Sequence, residues 1–267
     1  MRHNLAPSLT SLLSHHHALG RKVQHFATID STNQEVMRQA AAGAAEGLVI
    51  MADEQSAGRG RLGRRWHTTE EALALSLLLR PKLPPEKVPQ LSLVTAVALQ
   101  QALQPYCAEI RIKWPNDLLI QGAKVAGILT EMRAKPGQVE AVVVGIGINL
   151  QPPKGGWPET ITQPATDLQT HALSPITRLD CAAALLQSLD LWYRRYLQHG
   201  FTPVREAWWQ AHVASGQKVR VFNGKTYIEG IATALDDDGA LLLDVHGEMQ
   251  RIIAGEVYLK EVDNHPI

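Results

Sequence analysis

Beyond Gly216 the dipeptides Asn223-Gly224, Asp238-Gly239 and His246-Gly247 cut the chain into four short apolar-rich runs, residues 218–222, 226–235, 240–245 and 250–254. Such pairs close tight hairpins, because glycine and, less readily, asparagine and aspartate accept the positive φ that a two-residue loop demands. Strands this short and this closely joined pair with their sequence neighbours, so residues 214–267 read as a small barrel-like β domain. Asn223-Gly224-Lys225-Thr226 imitates the end of a phosphate-binding loop, but Val219 stands where the first glycine belongs and the segment lies among β runs. It reads as a hairpin turn.

With 267 residues, 45% of them hydrophobic and 19% charged, the chain has room for one large core besides this domain. Residues 23–29 read as a strand, and Ser31-Thr32-Asn33 offers cap-forming side chains before a helix at 34–42. Residues 48–52 and 72–79 read as buried strands on either side of a glycine- and arginine-rich loop, 56–65. Four prolines between 81 and 89 precede a helix at 91–103, where Leu91, Val94, Thr95, Ala98, Leu99 and Ala102 fall at helical spacing. Strand pieces are expected at 110–113 and 118–120, a turn at Gln121-Gly122, and strands at 125–132 and 139–144. Residues 151–164 are too rich in Pro and Gly for regular structure, whereas 179–200 and 202–212 read as helices. Elements of both kinds in this order make an α+β protein, with a large domain at 23–213.

The first 22 residues read as a flexible segment: Arg2, Pro7, several serines and His15 to His17 interrupt any signal-peptide core. The histidine triplet has no partner at ligand spacing, so no protein-held metal is expected there. Lys and Arg total 26 against 26 Asp and Glu, so no global field recruits nucleic acid or anionic membrane, and an anion site has to be a local cluster. Cys107 and Cys181 are isolated from one another, which excludes a disulfide framework and fits a cytoplasmic location. No apolar stretch approaches the roughly 20 residues of a membrane span.

The densest chemical signal is Gly58-Arg59-Gly60-Arg61-Leu62-Gly63-Arg64-Arg65-Trp66, where glycines permit close backbone approach and four arginines gather charge. On its own it admits an anion-binding loop, a solvated basic turn or an RNA-contacting segment. Lys113-Trp114-Pro115-Asn116-Asp117 followed by Lys124 puts a carboxylate and an ammonium across a hairpin, as a reaction centre or a structural salt bridge would. Gly145-Ile146-Gly147-Ile148-Asn149 begins like a dinucleotide fingerprint, but Leu150 replaces the third glycine and Pro152-Pro153 bars the helix that should follow. Metalloprotease and acyl-enzyme hydrolase patterns are absent.

Taken in order, Ser31-Thr32-Asn33, residues 55–66, 113–117, 124–129 and 145–149 resemble the motif set of the biotin protein ligases, and the β-rich tail is similar to the small carboxy-terminal domain of that family. The resemblance implies a mixed β-sheet with helices packed on one face, the class II synthetase-like biotin/lipoate ligase fold, plus an SH3-like barrel. It implies that Ser31, Thr32, Asn33, Gln55, Gly58, Arg59, Gly60, Arg61 and Lys124 contact biotin or its adenylate. By the same resemblance Trp66 walls the ligand, Gly127 and Ile128 line the biotin pocket, and Asn149 approaches the nucleotide. Regulatory members carry a helix-turn-helix domain before the ligase; only 30 residues precede Ser31, so the monofunctional type without DNA binding is expected. Two departures stand out. The stretch after Asn149 is short, with Trp157 as its candidate aromatic wall, and Ala165-Thr166-Asp167-Leu168 has Asp167 where a serine is more usual.

The implied reaction joins biotin and ATP, with Mg2+, into biotinyl-AMP, then transfers biotin to a lysine of the biotin carboxyl carrier protein of acetyl-CoA carboxylase. Lys124, Arg59 and Arg61 would supply preorganised positive charge. Asp117 would orient or deprotonate the acceptor lysine, or contact metal or adenylate. A monomer or weak homodimer, with no DNA or membrane partner, completes the expectation. The competing readings are a lipoate ligase, a nucleic-acid-binding regulator, and a biotin sensor without catalysis.

Overall fold

The computed structural model describes residues 4–13, 17–67, 72–158, 161 and 163–259. Seven strands, β1 (Lys22–Ile29), β2 (Leu48–Gln55), β3 (Ala72–Leu79), β4 (Arg111–Lys113), β5 (Asp117–Ile120), β6 (Ala123–Lys135) and β7 (Gln138–Asn149), form one sheet in the order β1-β2-β3-β7-β6-β5-β4. The β1–β2 pair is parallel and the others antiparallel, so the sheet is mixed.

Side chains alternate between the faces of a strand, and the burial follows that period of two. Leu73, Leu75, Leu77 and Leu79 of β3 and Val142, Val144, Ile146 and Ile148 of β7 point into the main core. Helices α3 (Gln90–Leu103) and α4 (Arg178–His199) cover that face, joined by α1 (Ala6–Leu12) and α5 (Thr202–Ala211). On the opposite face Leu48, Ile50, Leu78, Ala141 and Val143 pack against Val36 and Ala40 of α2 (Thr32–Ala41). That helix covers only part of its face. The rest, over residues 74, 76, 145 and 147, is left for the site described below.

The second sheet is antiparallel, in the order β11-β10-β9-β8-β12, from β8 (Lys218–Phe222), β9 (Tyr227–Leu235), β10 (Leu241–Val245), β11 (Glu248–Ile252) and β12 (Glu256–Leu259). Val219, Val221, Ala232, Leu241, Leu243 and Val257 fill its interior. It is fastened to the first sheet's layer by Trp114 Nε1, which donates to Gly239 O at 3.2 Å, and by Gln90 Nε2, which donates to Asp237 O at 2.8 Å.

Three features depart from the reading of the sequence. The stretch expected to be flexible contains α1, whose Leu9 is fully buried; Pro7 sits in its first turn, where a missing N–H is no loss. Asp190 Oδ1 then accepts the N–H groups of Ala18 and Leu19 at 2.8 and 3.1 Å. Of the histidine triplet, His15 and His16 lie outside the described residues, as do residues 159, 160 and 162 of the Pro- and Gly-rich stretch. The strand expected at 139–144 runs on through Gly145 and Gly147 to Asn149, and β12 adds a strand after Gly255. Among the described residues no helix is long and apolar enough to cross a membrane.

Candidate active site

Cross-strand pairing aligns Ala52, Ala74, Gly147, Gly127 and Asp117 in one row across β2, β3, β7, β6 and β5. The next row holds Ser76, Gly145 and Leu129. The alanines, the serine and the glycines of these rows leave a trough whose floor is main chain. A Cβ on Gly145 would lie 2.1 Å from Asn33 Oδ1, and one on Gly147 would lie 2.3 Å from Trp66 Cε2, so both glycines are required by what rests on them. The trough opens into a cavity of about 450 Å³, within the roughly 300–1,000 Å³ usual for small-molecule sites.

Over β3 and β7 the wall is neutral and hydrogen-bonding. Ser31 precedes α2 but its side chain makes no cap bond; the orphan N–H of Thr32 instead donates to Gln55 Oε1 at 2.8 Å. Thr32 Oγ1 donates to the same oxygen at 3.1 Å. Ser76 Oγ, fully buried, lies 2.7 Å from Thr32 Oγ1 and 2.6 Å from Asn33 Oδ1. Asn33 Nδ2 donates to Glu131 Oε2 at 2.8 Å, and the other oxygen of that carboxylate faces Arg59 Nη1 at 3.2 Å. The helix begins at Thr32 with Ser31 before it, as read from the sequence, and the same three residues line the cavity.

Residues 58–66 form a narrow hairpin. Trp66 N donates to Gly58 O at 3.1 Å, Gly60 N donates to Arg64 O at 2.7 Å, and Leu62 at the tip has φ 55°. A Cβ on Gly58 would come within 2.5 Å of Trp66 O, so glycine there lets the hairpin close. Arg61 Nη1 donates to Asn116 Oδ1 at 3.0 Å, and Asn116 is itself held by donating to Ile128 O at 2.7 Å. Burial depresses the Arg61 guanidinium below its ordinary value, against the opposing pull of Asp117 and Glu256. A cation desolvated in this way gains from an incoming anion.

Lys124 Nζ stands 2.7 Å from Asp117 Oδ1 and 6.0 Å from the centre of the Trp66 ring. Its backbone is fixed by the loop after β7: Lys124 N donates to Pro164 O at 2.8 Å, and Thr166 N donates to Lys124 O at 2.9 Å. Asn149 Nδ2 donates to Thr166 O at 3.0 Å, closing the same junction. Asp167, buried, accepts from Thr170 N and Thr170 Oγ1 at 2.8 and 2.9 Å, so its role is to shape this loop.

Ser31, Thr32, Asn33, Gln55, Arg59, Gly60, Arg61, Trp66, Asp117, Lys124, Gly127, Ile128 and Asn149 all line the cavity, as does Trp157; Gly58 does not. Several wall residues escaped sequence reasoning. Glu256 reaches in from β12 and pairs with Arg64, whose Nη2 donates to Glu256 Oε2 at 2.8 Å. Burial tends to raise that carboxyl, but hydrogen bonds from Arg64 and Tyr258 outweigh it and hold Glu256 below the usual carboxylate range. The described wall carries six Lys or Arg side chains against two carboxylates, an environment for an anion. Among the described residues no cluster of three or more His, Cys, Asp or Glu could hold a metal ion.

A fold of this kind, with such a cavity at the uncovered part of its sheet, defines an α+β protein that takes a small anionic ligand on its mixed sheet and carries an appended β domain. The description "Biotin/lipoate A/B protein ligase family" matches residues 25–149, and "Biotin protein ligase C terminal domain" matches residues 214–260. The biotin--[acetyl-CoA-carboxylase] ligase of Paracoccus denitrificans is 38% identical over 240 residues, 87% of this chain and 98% of that protein. The bifunctional ligase/repressor BirA of Bacillus subtilis is 36% identical over 245 residues, 90% of this chain and 75% of that protein. The structure of the Aquifex aeolicus biotin protein ligase in complex with biotin and ATP superposes with a TM-score of 0.74 at 27% identity, covering 89% of this chain and 98% of that one. The chain belongs to the biotin protein ligase family.

Proposed function

We propose that the cavity holds biotin and ATP together, joins them as biotinyl-5'-AMP with release of pyrophosphate, and presents the adenylate to a lysine of a biotin carboxyl carrier protein. Neutral donors and acceptors on Ser31, Thr32, Asn33 and Gln55 suit an uncharged urea ring. The Lys124, Arg59 and Arg61 cations suit the carboxylate and phosphates. The observation that carries this reading is that both sets line one cavity, the neutral cluster over β3 and β7 and the Lys124–Asp117 pair over β5 and β6.

In the first step an oxygen of the biotin carboxylate attacks the α-phosphorus, the bond to the bridging oxygen breaks, and pyrophosphate leaves with its electron pair. Two anions have to meet, and the transition state gathers further negative charge near Lys124, Arg59 and Arg61, which are already oriented by Asp117, Glu131 and Asn116. Magnesium fits as an ion carried in on the triphosphate, because Asp117 and Glu256 are each matched to a cation; when bound it neutralises phosphate charge. In the second step a neutral lysine amine attacks the acyl carbon, AMP leaves, and the amine loses a proton. Asp117 orients Lys124 and is the carboxylate placed to accept that proton. We place the reaction in the cytoplasm, with a monomer or weak homodimer acting without DNA.

The test incubates the protein with biotin, ATP and magnesium, with lipoate in a parallel sample, and follows pyrophosphate release and label transfer to a biotin-acceptor domain. Biotin-dependent release with transfer is the expected result. Activity with lipoate alone, or silence with both, overturns the proposal.

A further inference from the structure

Glu131 stands outside the cavity wall, yet it holds two residues that belong to that wall. It lies on β6 two residues beyond Leu129, in a row with Val143 and Leu78, on the face where α2 begins to cover the sheet. From there one carboxylate serves two partners: Oε2 accepts from Asn33 Nδ2 at 2.8 Å, and Oε1 faces Arg59 Nη1 at 3.2 Å. Asn33 comes from the start of α2 and Arg59 from the arginine hairpin, so the side chain joins two separate pieces of the chain.

The same carboxylate decides which way round Asn33 sits. Nδ2 faces acceptors alone, Glu131 Oε2 and, at 3.4 Å, Leu129 O, while Oδ1 takes the hydroxyl proton of Ser76 at 2.6 Å. Turned over, the amide would set its oxygen against a carboxylate and a carbonyl, neither of which has a proton to give. The two partners differ in what else they can reach. Asn33 is 4% exposed and has no recourse to solvent, whereas the Arg59 side chain is half exposed and does. We propose that Glu131 is a positioning residue for adenylate formation, one oxygen fixing the Asn33 amide in the neutral wall and the other fixing the Arg59 guanidinium among the cations. Both halves of the site are then set by a single side chain that lies outside it. This proposal rests on the ligase reading above.

The test compares the full chain with Glu131→Gln and Glu131→Leu. Glutamine keeps the shape but has one acceptor oxygen, so it cannot serve both donors. A buried amide loses more by going without a partner than a half-exposed guanidinium does, so the oxygen goes to Asn33 and Arg59 is released. In Glu131→Gln, biotin affinity titrated without ATP should stay within about threefold of the parent, while kcat/KM for ATP in pyrophosphate release falls about tenfold. Leucine offers no acceptor, so Glu131→Leu should weaken biotin about tenfold as well. A side chain that only supports the framework would weaken both ligands in step in the glutamine variant, and that result overturns the proposal. So does parent-like behaviour toward both ligands in Glu131→Leu, or a glutamine variant that loses biotin affinity and keeps its ATP kinetics. A parent chain that neither binds biotin nor releases pyrophosphate would instead count against the ligase reading.

Discussion

Lys124 is held 2.7 Å from the Asp117 carboxylate in the cavity wall, and its backbone is pinned from both sides by residues 164 and 166. Replacing it by alanine should lower the rate of adenylate formation on the order of a hundredfold or more, as losing a preorganised charge donor does. The circular dichroism spectrum and melting temperature should change little, because the side chain is not part of either core; near-parent turnover would refute the role given to Lys124. Gly147→Ala tests the floor. Its methyl would enter the space of the Trp66 indole, so the ring has to move. The expected result is a weakening of biotin binding by about tenfold or more with altered tryptophan fluorescence, measured by titration with biotin. Parent-like affinity would show that the ring is not part of the ligand's wall. Gly145 and Gly147 were visible in the sequence, as a failed dinucleotide fingerprint and as one of the ordered motifs; only their shared strand face reveals why glycine is needed. Ser76 and Glu131 were not legible at all, because a lone serine in an apolar run and a glutamate at a strand position belong to no local pattern.

At the scale of elements, α5 ends on a buried titratable group. His212 Nδ1 donates to Ile112 O at 2.9 Å, tying the helix end to β4, and the ring stacks on Trp208 with centroids 4.6 Å apart. Burial pushes the imidazole down to about 4 from an ordinary 6.5, although the bond to Ile112 acts the other way. Below about pH 6.5 the unfolded chain takes up a proton that the folded chain refuses, so the stability contributed by the neutral ring is whole above that pH. It declines as pH falls toward 4, by on the order of 3 kcal/mol at the limit. Urea denaturation at pH 7 and pH 4.5 should show a smaller loss of stability for His212→Gln than for the parent; equal losses would remove His212 as a source of acid sensitivity. Most elements were legible because their periodicity is strong, as in β3, where Leu73, Leu75, Leu77 and Leu79 share a face. The exceptions have local reasons. Pro7 reads as a breaker yet opens α1, and β12 is only four residues long, too short for periodicity to declare it.

Across the whole molecule, the arginine hairpin of the first sheet's layer is held by the second sheet through Arg64 and Glu256, 192 residues apart. No local pattern could announce that contact. Because Arg64 is about half exposed, Glu256→Gln should cost under about 1 kcal/mol of stability. The hairpin that carries Arg59 and Arg61 would nevertheless lose an anchor, and the KM for ATP should rise severalfold with a smaller effect on the melting temperature. A large drop in melting temperature with unaltered KM would assign the pair to domain adhesion instead.

The trough across the first sheet is surfaced by peptide groups already locked in a hydrogen-bonded ladder. The side chains resting on it, Asn33 on Gly145 and Trp66 on Gly147, meet no rotor beneath them, since Gly127, Gly145 and Gly147 have none to lose. The same surface cannot yield to a thicker guest by changing a rotamer, as a leucine-lined pocket can. Acceptance of altered ligands should accordingly be governed by the side chains that rest on the sheet, Trp66 on Gly147 and Asn33 on Gly145, which can adjust where the sheet is fixed.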